Sequence, residues 1–273
     1  MNAWAAFPHD NSAYDYSADD LKNHWDQLHQ GDRVLWPDEA CFSEYDMDIT
    51  EAQANLLVQA WQAFHRGDFY QAVSLADEAG ICGHAVANKA TGIYADYLEE
   101  DEAQQQSLYQ SIVERAEQAI EALPKDPNSY YFHAYGLGRY SQSISITKAL
   151  SQGLGTKVRN SLETTLELNP EHAEAQLAMG LFHAEIINKV GKLVGGMTYG
   201  ANADTAIAHF QQATALAPGL PIIHIEYGNG LYLLYGDKRM QDMTQSYETA
   251  VAIEPQDAMQ RLDRDFAVDE LAE

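Results

Sequence analysis

The stretch AIAHFQQATALAP, residues 206–218, sets Ala206, Phe210 and Ala213 at steps of four and three and closes on Pro218 five residues later. Such steps keep side chains on one helical face, and proline ends a helix because it lacks an amide hydrogen and collides with the preceding turn. The spacing recurs at Ala72, Ala76 and Ala79 with His84 as the stop, and at Ile112, Ala116, Ala119 and Pro124. It returns at Val158, Leu162, Thr165 and Pro170, and at Met243, Tyr247, Ala250 and Pro255. Each segment reads as the second helix of a helical hairpin. The chain therefore reads as all-α, a solenoid of about five antiparallel helix pairs with two lengthened hairpins and helical caps.

The first helices carry a small residue where paired helices approach closely, Ala60, Gly180 and Gly228, and Gly67-Asp68 makes a turn into Ala72. On these residues the chain resembles the tetratricopeptide repeat (TPR) family over residues 51–255. The opening helix of the second repeat, Ala87 to Glu99, is set by register, and His84 departs from the proline that the family would place there. The long insertion before the Ala-x-x-His-Phe-x-x-Ala segment, Ala206 to Ala213, is similar to the regulator of microtubule dynamics type of TPR protein. It is also similar to the TPR accessory proteins of tripartite (TRAP) transporters, periplasmic lipoproteins with an export signal and a lipid-bearing cysteine. Neither feature is read here, so the resemblance implies a cytoplasmic role, and the microtubule function of eukaryotic relatives is not carried over.

Composition bounds the partner. With 273 residues and 46% hydrophobic content the chain can bury an extended core, read as one elongated domain at residues 51–255, with capping segments at 1–50 and 256–273. The net charge of −25 argues against nucleic acid or an anionic membrane surface as a general partner. No stretch reaches the length and apolarity of a membrane span, and Met1 to Asp10 lacks a basic segment and an apolar run, so a soluble, cytoplasmic protein is expected. Cys41 and Cys82 make no metal-ligand spacing, and no cofactor or metal is expected. Gly191-Lys192 is followed by Leu193 and does not complete a phosphate loop.

The charge is uneven. Residues 1–138 carry −18, residues 139–203 carry +1 and residues 204–273 carry −8. The successive proline stops lie 46, 48 and 37 residues apart, against about 34 for the family. The excess falls at Tyr140 to Lys157 and Ile186 to Asp204, where the acid-free runs Arg139 to Asn160 and Ile186 to Ala203 lie. Apolar spacing there reads as lengthened helices joined by Gly-rich turns at Gly153 to Gly155 and Gly195 to Gly200, and the two insertions are expected to touch. Arg139, Ser143, Lys148, Lys157, Arg159, Lys189, Lys192 and Tyr199 then make a candidate pocket for a small anionic ligand. The alternative is that these cations pair with Glu163, Glu167 and Glu185 and hold the hairpins together.

The TPR register implies a concave groove lined by first helices, with Leu57, Trp61, Phe64, Tyr131, Tyr135, Arg139, Leu177, Leu181, Glu185, Ile225, Asn229 and Tyr232. Aromatics among an occasional charge suit a peptide or helix of a protein partner, whose identity and the chain's own oligomeric state the residues leave open. Only Asn229 matches the carboxylate clamp used by some family members, so chaperone tails are not expected. His133, His183 and His224 on successive first helices read as packing groups, since no HxxxE or HxxxH pair shares a face. The ends read as caps: a helix from Asp19 to Gln30 with Leu21, Trp25 and Leu28 on one face, an aromatic stretch from Gly31 to Asp48 wrapping the first repeats, and a solvating helix after Pro255 with Met259, Leu262 and Phe266 inward. The chain reads as a non-catalytic binding scaffold.

Overall fold

A computed structural model describes residues 4–272; Met1–Ala3, part of the stretch read for a leader, and Glu273, the end of the last cap, lie outside the described residues. Among the described residues the regular elements are all helical: α1 (Ala18–Leu28), α2 (Glu39–Ser43), α3 (Glu51–Arg66), α4 (Phe69–Ala79), α5 (His84–Tyr97), α6 (Glu102–Ala122) and α7 (Pro127–Gln142) come first. They are followed by α8 (Ile146–Ser151), α9 (Leu154–Leu168), α10 (Ala173–Val190), α11 (Lys192–Tyr199), α12 (Ala203–Leu216), α13 (Pro221–Tyr235), α14 (Met240–Ala252) and α15 (Ala258–Ala272). Contacts divide the chain into two compact units. Among the described residues the first holds 4–29, 34–168 and 257–259; the second holds 30–33, 169–256 and 260–272.

Local chemistry starts and stops the helices. Thr50 caps α3 in a reciprocal box with Gln53, and Asp126 caps α7 with Pro127 in its first turn. Asn202 accepts from the Asp204 and Thr205 amides at the start of α12. Gly67 ends α3 with φ 90°, a left-handed turn that favours glycine.

In the first unit α3 pairs with α4, α5 with α6 and α7 with α9; in the second, α10 pairs with α12 and α13 with α14. All five repeated segments lie on second helices. Their marker positions are fully buried, Val158 and Met243 excepted, which are half-buried. Glycines set how closely helices pack. A Cβ on Gly180 or Gly230 would come within 2.6 or 2.3 Å of the Phe210 ring, and one on Gly228 within 3.1 Å of Tyr247. In the first unit a Cβ on Gly136 would meet Val113 at 2.9 Å.

Four details differ from the sequence reading. His84 does not stop α4; Gly80 (φ 82°) does, and His84 opens α5, buried with its Nε2 2.7 Å from Asp126. Gly195 and Gly196 lie inside α11, and the turns fall at Gly191 and Gly200, whose φ values of 82° and 65° need glycine. The first insertion folds into α8 and turns at Gly153. The last helix is less solvated than expected: Gln260 and Asp263 are buried together with Met259 and Leu262, whereas Phe266 is exposed.

Residues 4–29 and 34–50 lie in the same unit as the first repeat. Leu21, Trp25 and Leu28 of α1 are buried, and Phe42 and Ile49 join Leu57, Ala79 and Cys82 in one apolar cluster.

Candidate functional site

In the first unit, Tyr131, Tyr135 and Arg139 are spaced one turn apart on α7, and the last two sit beside Asp96 of α5. The Tyr135 hydroxyl donates to Asp96 Oδ2 at 2.7 Å, the Tyr109 hydroxyl from α6 donates to Oδ1 at 2.8 Å, and Arg139 Nη2 lies 3.0 Å from the same carboxylate. The guanidinium also sits 5.7 Å from the Tyr135 ring centre. Burial pushes both phenols above their ordinary range, and Asp96 adds to it, so they stay protonated donors. One carboxylate thus joins three helices. The Arg139 side chain keeps 33% of its surface exposed, and nothing lies within 4 Å of where a Cβ would stand on Gly138 beside it.

The first-repeat groove residues are placed differently. Trp61 and Phe64 are 2% and 0% exposed, and Leu57 is buried with them. Trp25 and His29 meet the Trp61 ring edge-on at 5.8 and 4.5 Å, so α1 and the turn after it cover this face. In the second unit Leu177 and Ile225 are core residues, and Leu181 packs against the cluster around Phe210. Glu185 pairs with Lys189 at 2.8 Å. Asn229 donates to Glu226 and accepts from the Tyr247 hydroxyl at 2.6 Å, tying α13 to α14. Tyr232 is 46% exposed.

Among the cations of the candidate pocket, Arg139 pairs with Asp96, Arg159 with Glu163 at 2.8 Å and Lys189 with Glu185. Lys148 lies over the Tyr140 ring, and its hydrogen bond lowers the Tyr140 phenol. Lys157 and Lys192 are exposed, Tyr199 is half-buried, and the exposed Ser143 hydroxyl donates to the Tyr140 carbonyl. Of the three first-helix histidines, His183 is buried and His133 and His224 are half-buried. His133 bonds Ser161, His183 stacks on His209, and His224 bonds the Pro218 carbonyl. Among the described residues no group of three or more His, Cys, Asp or Glu is arranged to hold a metal ion.

Two buried pairs escaped the sequence reading. His65 Nδ1 lies 2.7 Å from Asp257 Oδ2 across 192 residues, and His84 bonds Asp126. A small cavity of about 30 Å³ in the first unit is lined by Cys41, Phe42, Trp61, Cys82 and His84, among others. Burial pushes the Cys41 thiol up to about 12, which favours its protonated form. A wider cleft is bordered by Asp77, Ser111, Glu114 and Arg115. Neither space is lined by the basic hairpins.

The regulator of microtubule dynamics protein 1-3 family profile matches residues 75–224, more than half of the chain. The chain belongs to this family. Its match runs from the end of the first repeat through both lengthened hairpins into the fifth repeat's first helix. The fold is similar to the crystal structure of a thermophilic TPR protein from Thermus thermophilus, with TM-score 0.57 and 17% identity over 80% of this chain and 99% of that one. At that identity the likeness is one of fold, and it makes this family member a TPR-like helical solenoid. No curated protein sequence matches the chain. Among the described residues no helix is long and apolar enough to cross a membrane.

Proposed function

We propose that this chain is a non-catalytic TPR scaffold, acting in the cytoplasm, that binds a protein or peptide partner through its first helices. In this reading residues 51–255 form the repeat domain, flanked by caps at 1–50 and 256–273. The observation that carries it is a contrast in exposure. The second-helix markers other than Val158 and Met243 are buried, whereas the first helices keep Arg139, Glu185 and Tyr232 partly in water, at 33, 25 and 46% exposure. A half-exposed guanidinium held in place by Asp96 and Tyr135 is the preorganised kind of anchor that interfaces favour. In the first unit Trp61, Phe64, Tyr131, Tyr135 and Arg139, and in the second Leu181, Glu185, Asn229 and Tyr232, remain the residues around which such surfaces would be built. The ion pairs on Arg139, Arg159 and Lys189 favour the structural role of the basic hairpins over a small-anion pocket.

Selection of displayed peptides on the purified chain tests the reading. Peptides selected on the native chain should bind it in the micromolar range or tighter and lose about tenfold or more with Gly138→Trp, which fills the open space beside Arg139 without entering the core. Selected peptides that bind the variant equally well would sink the assignment of this surface.

A further inference from the structure

Residues 4–16 cross the first unit almost without secondary structure, with a single 3₁₀ turn at Ser12–Tyr14. They are held by separate anchors. The Trp4 ring stacks on Tyr94 of α5 at 4.0 Å and 14°, and meets Tyr70 of α4 edge-on at 5.9 Å. The Ala5 amide donates to the Tyr94 hydroxyl at 3.3 Å. Phe7 lies on the hydrogen face of Gly67, where a Cβ would fall 2.7 Å from its ring. Asn11 donates to the Arg66 carbonyl at 3.0 Å, Asp15 pairs with the Arg66 guanidinium at 2.9 Å, and Gln62 donates to the Tyr16 carbonyl at 2.9 Å.

This is how a folded domain holds an extended peptide: aromatic anchors at spaced positions, a few bonds to main-chain groups, and a terminal charge pair. Between the anchors Ala5, Ala6, Pro8, Asp10, Ser12 and Ala13 are exposed, whereas Tyr14 is buried, so the segment is held at spaced points and not along its whole length. Gly67 is needed twice, for the φ of 90° that ends α3 and for the space that Phe7 fills.

We infer that the surface formed by Arg66, Gly67, Tyr70 and Tyr94 is a peptide-docking site occupied in cis by residues 4–16. The occupant it takes in trans is an extended segment of the same chemistry: two aromatic residues three positions apart, followed by an amide and a carboxylate that reach Arg66. This surface is distinct from the first-helix face around Arg139, so either assignment can fail without the other. Because the cis segment must leave first, the apparent affinity for a trans segment is reduced by the fraction of molecules in which the site is open.

The test uses the full chain and a fluorescent synthetic peptide of residues 4–16, read by anisotropy. Against wild type the peptide should bind weakly. Against the Trp4→Ala, Phe7→Ala double variant it should bind about tenfold tighter or more, because the cis anchors are gone while the surface is intact. Adding Tyr70→Ala, a change at a residue 62% exposed, should weaken that binding several-fold without lowering the melting temperature. Equal binding to wild type and the double variant, or no binding to a double variant that circular dichroism shows to be folded, would overturn the inference. Either result would make residues 4–16 a structural cap only.

Discussion

In the second unit, Phe210 fills the hydrogen-sized faces of Gly180 and Gly230, so α10, α12 and α13 are joined through one ring and the space two glycines leave. The first unit also has a close glycine approach, Gly136 against Val113, but it adds buried polar joins: Asp96 gathers Tyr109, Tyr135 and Arg139, His65 meets Asp257, and His84 meets Asp126. Packing by shape and packing by paired charge both hold helices at contact distance. They respond differently to change. Shape complementarity is lost by volume alone, whereas a buried polar hub is lost when a donor or a charge is left without its partner.

The largest expected effect is therefore volumetric. Phe210→Ala should cost about 3–5 kcal/mol of stability, and Gly230→Ala about 1–3 kcal/mol, in denaturant unfolding. A neutral Gly230→Ala would mean that the Phe210 ring moves aside freely and that shape does not hold this unit. Asp96→Asn comes next. It removes the charge that Arg139 faces and one acceptor from the tyrosines, and should cost about 1–3 kcal/mol. Retention of full stability would make the hub incidental.

A slope with pH separates the polar joins from the apolar ones. Burial holds the His65 imidazole below its ordinary value of 6.5 in the folded protein, against the opposing pull of Asp257. The unfolded chain then takes up the proton first, so this contribution is complete above about pH 6.5 and is lost as pH falls below it. The melting temperature should drop from pH 7.5 to pH 5.5, and His65→Gln should flatten part of that slope. An unchanged slope in the variant would remove His65 from the account. The smallest effect is a gain: Gly138→Ala, with open space at its Cβ, should stabilise α7 by about 0.5–1 kcal/mol, opposite in sign to Gly230→Ala.

These two kinds of join were not equally legible in the chain. The steps of four and three that bury Ala206, Phe210 and Ala213 are local, so periodicity exposes them, and the small residues at Gly180 and Gly228 fall in the same register. The Asp96 hub joins residues 13 and 39 positions distant, and His65 meets Asp257 across 192, separations at which no spacing rule operates. His84 shows the cost of reading a position by register alone. The pattern wanted a helix stop there, while the adjacent Gly80, with its positive φ, already supplies one. The burial of Trp61 is illegible for a related reason. Whether an aromatic on a first helix faces a partner or the chain's own cap depends on Trp25 and His29, which lie outside the repeat pattern.

The claim that first helices carry the partner is tested most directly by hydrogen exchange of the chain with and without a selected peptide. The account predicts slowed exchange in α7 around Gly138 and Arg139 and in α13 around Tyr232, with second helices α6, α9, α12 and α14 unchanged. Protection confined to the second helices, with α7 and α13 exchanging as in the free chain, would contradict it.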